Sequence, residues 1–194
     1  MKDKGLFING KWKVGSGSLF SSINPADGSE LGKVCSANAA EVDQAVASAS
    51  QAFESWTSLT YQERYEYIRL FSEKLEQNKK RFAELISQEN GKPLWESLIE
   101  VGAMIRKGEI SLKAYEERTL SKNFDMGSAQ RNIHFQPYGT VVVFGPFNLP
   151  GHLPNGHILP ALLAGNTVVF KPSEQTPFVG QLLVELLAEV GLPD

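Results

Sequence analysis

The chain has 194 residues, 42% of them hydrophobic, with 22 acidic against 19 basic side chains and a formal charge of −3. That supplies a real core without disulfides or metal and excludes a disordered tail, while the longest basic run, Lys79-Lys80-Arg81, is too short to suggest nucleic-acid binding. A single cysteine, Cys35, and an amino terminus (Met1-Lys2-Asp3-Lys4-Gly5) without an apolar core predict a cytoplasmic chain with no internal disulfide.

The first part, to about residue 34, carries turn signals between short β-prone runs. Leu6-Phe7-Ile8, Asn9-Gly10 and Lys11-Trp12-Lys13-Val14 read as a hairpin, because Asn-Gly supplies the positive φ values of a tight turn. Asn24-Pro25-Ala26-Asp27-Gly28 marks a second reversal before residues 30–34. From about residue 38 to 120 the pattern is helical. Asn38 with Glu41, and Thr60 with Glu63, have capping-box spacing. Val42, Ala45, Val46, Ala49, Phe53 and Trp56 recur at helical spacing, as do Tyr65, Ile68, Phe71 and Leu75. Asn78 is expected to interrupt this region, and Phe82, Leu85 and Ile86 continue its apolar stripe until Asn90-Gly91 ends it. Leu94, Leu98, Val101, Ile105, Leu112 and Tyr115 mark one more helix. The Glu, Lys and Arg residues between these stripes read as solvated outer faces.

Residues 132–170 contain no Asp, Glu, Lys or Arg. Pro137, Pro146, Pro150, Pro154 and Pro160 punctuate the stretch, so no apolar run of about 18 residues survives to span a membrane. Thr140-Val141-Val142-Val143-Phe144 and Thr167-Val168-Val169-Phe170 are unbroken β-branched runs, the pattern of strands buried on both faces of a parallel sheet. Residues 152–164 between them are long enough for a crossover helix, which makes a βαβ unit. Thr176 is placed to cap, and Pro177 to open, a further helix over 178–190 that Gly191 closes. Two parallel strands do not make a domain, so the expected class is α/β and the chain is expected to be the amino-terminal piece of a longer protein.

Ligands of doubly wound sheets bind beyond the carboxyl ends of the strands, and two segments lie there. In Phe144-Gly145-Pro146-Phe147-Asn148-Leu149-Pro150-Gly151, prolines and glycines surround a single polar side chain. Asn148 reads either as a neutral donor for a carbonyl oxygen that becomes negative, or as a loop Asn that satisfies nearby backbone. Phe170-Lys171-Pro172-Ser173-Glu174-Gln175-Thr176-Pro177 sets a Lys at a strand end and polar groups before a helix, a combination suited to the hydroxyls and phosphate of a nucleotide. Neither strand is followed by G-x-G-x-x-G. His152 and His157 lie on different sides of a helix with no acid or thiol nearby, so no metal site is expected. Cys35 has no His beside it and reads as structural.

These two segments, together with Pro137-Tyr138-Gly139 and Pro160-Ala161-Leu162-Leu163-Ala164-Gly165-Asn166-Thr167, resemble the aldehyde dehydrogenase superfamily. Ile8-Asn9-Gly10, Asn24-Pro25 and Asn90-Gly91-Lys92-Pro93 extend the likeness along the whole chain. Gly151-His152-Leu153-Pro154-Asn155-Gly156-His157, with Ile105, Lys113-Ala114-Tyr115 and Arg118, is most similar to the branch that oxidises N-succinylglutamate 5-semialdehyde in arginine catabolism.

The resemblance implies that residues 1–194 are the amino-terminal portion of an NAD-binding domain with the start of a Rossmann-like parallel sheet. It implies oxidation of a small-molecule aldehyde to an acid, with NAD as cofactor and no metal. Asn148 would be the side-chain half of an oxyanion hole. Lys171 and Glu174 would hold the adenosine ribose, and Gly145, Pro146, Phe147 and Ser173 would line the cofactor. The polar stretch 123–136 resembles inter-subunit strands of a homo-oligomer. The family's nucleophilic cysteine, general-base glutamate and later glycine-containing NAD segment would fall beyond residue 194, with the catalytic domain, so the chain alone is expected to be inactive. Cys35 does not replace that cysteine. Another NAD(P)-dependent aldehyde dehydrogenase, or a truncated remnant that only oligomerises, are the alternatives.

Overall fold

The computed structural model describes residues 2–193. The chain opens with two antiparallel pairs. Strands β1 (Leu6–Ile8) and β2 (Lys11–Lys13) form the expected hairpin, with Asn9 at φ 52° and Gly10 at φ 67° in its turn. Strands β3 (Leu19–Ile23) and β4 (Glu30–Cys35) flank the second reversal, where the Gly28 N–H donates to the Asn24 carbonyl at 2.8 Å. Cys35 is the last residue of β4 and a free, half-buried thiol.

Four helices follow: α1 (Ala39–Ser58), α2 (Tyr61–Gln77), α3 (Lys79–Asn90) and α4 (Leu94–Arg118). Both predicted capping boxes are made, Asn38 with Glu41 and Thr60 with Glu63, each side chain accepting from the other's backbone N–H. Asn78 separates α2 from α3, and Gly91 ends α3 in the left-handed region at φ 78°. A Cβ on Gly91 would also fall 2.8 Å from Pro25 Cγ, so glycine is required there both by conformation and by space. After α4 comes an exposed antiparallel hairpin, β5 (Lys122–Asp125) and β6 (Gln130–Ile133), which overlaps the stretch 123–136.

The βαβ unit is β7 (Thr140–Phe144), α5 (His152–Leu163) and β8 (Thr167–Lys171), and β7 pairs parallel with β8. Pro154 sits in the first turn of α5, where an N–H would have no partner within the helix. Helix α6 (Pro177–Glu189) follows β8, with Gly191 beyond it at φ 74°. The core lies among α2, α3, α4, α5 and α6, where Phe71, Leu75, Phe82, Ile86, Leu159 and Leu183 have no exposed surface. Among the described residues no helix is long and apolar enough to cross a membrane.

The apolar runs have the pattern of strands covered on both faces in a complete sheet, and in this chain β7 leaves one of those faces open: Val143 is 4% exposed, whereas Val142 and Phe144 are 50% and 73% exposed. Successive strand residues point to opposite faces, and residues 2–193 pack firmly on only one of them. One expectation needs correction: the helical charges are not all solvated. Arg64, Glu89 and Glu100 are buried, and each serves backbone groups distant in sequence. Arg64 Nε donates to the Leu163 carbonyl at the end of α5 at 3.0 Å, and its Nη1 donates to the Leu59 carbonyl after α1.

The open face and the unpaired outer edges of a two-stranded sheet carry a consequence for the chain alone. Light scattering of purified 1–194 is expected to show self-association. A compact monomer that unfolds in one cooperative transition would mean that β7 and β8 are not inner strands.

Candidate functional site

The segments 145–151 and 172–176 leave the carboxyl ends of β7 and β8, which the parallel register places side by side: Phe144 is opposite Lys171, and the Gly145 N–H donates to the Lys171 carbonyl at 2.9 Å. Gly145 and Pro146 are half-buried against the β8 end, while Phe147 and Asn148 are exposed. The sheet therefore brings Gly145 and Pro146 beside Lys171. Asn148 belongs to the other end of the loop, which is held by α3 and α4 instead.

Lys171 Nζ and Glu174 Oε2 form an exposed ion pair at 2.9 Å. The backbone N–H of Glu174 and then the Lys171 ammonium hold the Glu174 carboxyl below its ordinary range, so it is ionised near neutral pH. Ser173 is buried and structures its own turn: its Oγ accepts from the Gln175 N–H at 3.2 Å and its carbonyl from the Thr176 N–H at 3.1 Å. A cleft of about 760 Å³ opens beside these residues. Its walls include Trp12, Val42, Phe144 and Val169, with Lys171 and Glu174 among its polar groups; Gly145, Pro146, Phe147 and Asn148 do not line it.

The expected Thr176 cap is not made. Thr176 occupies the cap position of α6, but among the described residues its buried hydroxyl has no hydrogen-bond partner. Glu89 takes its place from α3: the Phe178 N–H donates to Oε1 at 3.0 Å, the Val179 N–H to Oε2 at 2.7 Å, and Ser22 Oγ to Oε1 at 2.7 Å. Pro177 has no N–H, and the Gly180 N–H already donates to the Thr176 carbonyl. The first turn of α6 thus has no free donor, and the phosphate-binding reading of this helix end is corrected. Lys171 and Glu174 suit hydroxyl groups; the helix behind them is closed to phosphate.

Helix α5 is capped in the same way from α4. Glu100 Oε1 accepts from the N–H groups of Gly151 at 2.9 Å and His152 at 3.0 Å. Burial pushes the His152 imidazole below its usual value, and nearby Lys107 adds to this, so the neutral ring is favoured. Among the described residues no group of three or more His, Cys, Asp or Glu is placed to hold a metal ion.

The backbone around Asn148 is held by the side chains of Asn90 and Lys92. The Asn148 carbonyl accepts from Lys92 Nζ at 2.8 Å and from Asn90 Nδ2 at 3.3 Å, and the Phe147 carbonyl accepts from Asn90 Nδ2 at 3.1 Å. Among the described residues the Asn148 amide makes no hydrogen bond, so it is not spent on satisfying its own loop. Asn90, Lys92, Glu89 and Glu100 escaped the sequence reading as site residues. Asn90-Gly91-Lys92-Pro93 was visible as a motif, but Glu89 and Glu100 looked like any other helix-surface acids.

The aldehyde dehydrogenase family model matches residues 12–194. The N-succinylglutamate 5-semialdehyde dehydrogenase of Chromobacterium violaceum is 51% identical over 188 residues, covering 97% of this chain and 39% of that relative. The crystal structure of an aldehyde dehydrogenase from Brucella melitensis biovar abortus 2308 superposes with a TM-score of 0.92 at 27% identity, over 98% of this chain and 40% of that one. An NADP-dependent glyceraldehyde-3-phosphate dehydrogenase from Bacillus halodurans C-125, complexed with NADP, gives 0.90 at 29% identity, over 100% and 42%. The chain spans about 39% of the length of the curated relatives it matches, and its α/β arrangement is a partial form of theirs. With the family match running from the first hairpin through both strand-end loops, the chain belongs to the aldehyde dehydrogenase family.

Proposed function

We propose that the full-length protein oxidises N-succinyl-L-glutamate 5-semialdehyde to N-succinyl-L-glutamate with NAD. The observation that carries this reading is the 51% identity, sustained over 97% of the chain, to a dehydrogenase of that aldehyde. Residues 1–194 form the amino-terminal portion of the NAD-binding domain, and the exposed β5–β6 hairpin contributes to a homo-oligomer.

When bound, NAD would supply the hydride acceptor for oxidation of the aldehyde. The residues present fit its adenosine ribose. The Lys171 ammonium donates and the Glu174 carboxylate accepts, and side by side they match a pair of neighbouring hydroxyls. The ionised Glu174 opposes a 2′-phosphate by like charge, which favours NAD over NADP. Ser173 lines the cleft beside this pair, and Gly145, Pro146 and Phe147 line the cofactor outside that cleft. The cofactor phosphates must be held elsewhere, because the first turns of α5 and α6 have their donors engaged by Glu100 and Glu89. Asn148, with its amide free, donates to the carbonyl oxygen as it gains negative charge.

The test uses the full-length protein. Turnover followed by nicotinamide absorbance is expected to give its highest kcat/KM with the succinylated semialdehyde; preference for an unsuccinylated aldehyde would overturn the substrate assignment. Lys171→Ala and Glu174→Ala are each expected to raise the KM for NAD roughly tenfold, the scale of one hydrogen bond to a charged group, with kcat little changed. Glu174→Ala should also narrow the preference for NAD over NADP. Unchanged NAD affinity in both variants would remove them from the ribose site.

A further inference from the structure

We propose that Lys92 is a positioning residue that holds Asn148 in place for its work on the substrate oxygen; this rests on the reading of Asn148 given above. Lys92 lies between α3 and α4, and its side chain is only 9% exposed. Among the described residues the ammonium has two partners, the Asn148 carbonyl at 2.8 Å and Glu100 Oε2 at 2.7 Å. The other oxygen of Glu100, whose side chain is 1% exposed, accepts the Gly151 and His152 N–H groups. One buried ion pair therefore grips the loop twice, by a carbonyl at residue 148 and by two N–H groups three and four residues later.

Asn90 completes the grip through the Phe147 and Asn148 carbonyls. The segment that delivers both donors is itself fixed. Lys92 N–H donates to Asn90 Oδ1 at 3.0 Å, Ser87 Oγ donates to the Lys92 carbonyl at 2.5 Å, and Gly91 is pressed against Pro25. The bonds by which Lys92, Asn90 and Glu100 hold the 147–152 loop all go to its backbone, and among the described residues none goes to the Asn148 side chain. That division has a physical consequence. The Cα of Asn148 is held by groups that substrate does not touch, while the amide stays available to a developing oxyanion without first breaking a bond. A merely cohesive ion pair has no reason to end on the carbonyl of the one residue whose side chain must be aimed.

The experiment is a double-mutant cycle in the full-length enzyme, with the hydride-transfer burst read by stopped flow and NAD affinity by titration. Lys92→Met is expected to slow the burst roughly 10–10²-fold, the cost of a misplaced reacting group, while NAD affinity stays within about twofold. In the Asn148→Ala background the same substitution should have little further effect, and Lys92→Arg should restore part of the rate. Should Lys92→Met fail to fold, Asn90→Ala leaves the ion pair intact and is expected to show the same coupling to Asn148. Equal losses in both backgrounds, or a normal burst in Lys92→Met, would overturn the positioning role while Asn148 keeps its own. A normal burst in Asn148→Ala alone would instead remove the underlying reading, and this proposal with it.

Discussion

Replacing Asn148 by Ala in the full-length enzyme is expected to lower kcat by roughly 10²–10³, the usual scale for losing one oxyanion donor. The amide is exposed and makes no hydrogen bond among the described residues, so its removal breaks no contact that holds the loop. NAD affinity and thermal stability should change little, because the backbone of the loop stays on Lys92, Asn90 and Glu100. A loss confined to kcat separates an interaction made in the transition state from one that serves binding. Stopped-flow measurement of hydride transfer decides it: an unchanged burst would place the oxyanion donor elsewhere in the protein.

The second large effect is expected at Glu89, on stability. Its carboxylate takes two helix N–H groups and the Ser22 hydroxyl and is 3% exposed, so Glu89→Ala leaves three buried donors without a partner. At about 1–3 kcal/mol per unsatisfied group, offset in part by the charge no longer buried, a loss of about 2–4 kcal/mol follows. The midpoint of chemical denaturation measures it. Weaker NAD binding should accompany the loss, since α6 anchors the turn that carries Ser173 and Glu174.

Burial also gives Glu89 a pH signature. It pushes the carboxyl above its ordinary range, against the pull of the hydrogen bonds from Ser22, Val179 and Phe178. A group whose value is raised on folding contributes stability that is complete below the unfolded carboxyl value and is lost as pH rises through the folded one. The stability gap between wild type and Glu89→Gln, which cannot titrate, is therefore expected to narrow from mildly acidic to alkaline pH. A gap that widens over that range would show the three donors outweighing burial.

The elements with local causes were legible in the chain. Asn9-Gly10 fixes a hairpin because positive φ is cheap there, and Asn38 with Glu41, or Thr60 with Glu63, each satisfy a helix end within four residues. Gly91 ends α3 for the same kind of reason, and the runs Thr140–Phe144 and Thr167–Lys171 specify parallel strands by side-chain shape and the length between them. The strand-end loops with Gly145, Asn148, Lys171 and Glu174 could be located from that frame alone.

What the sequence could not show is which charges leave the surface. Glu89, Glu100, Arg64 and Lys92 sit in charge patterns indistinguishable from those of solvated helix faces, and each bonds backbone that lies 51 to 99 residues away. Thr176, the residue with the right local chemistry to cap α6, was displaced by Glu89 because the packing of α3 against α6 brings a carboxylate to the same N–H groups. Local propensity is decided within a turn of chain, whereas a buried charge is decided by which helix ends meet it, and only the folded chain makes that choice.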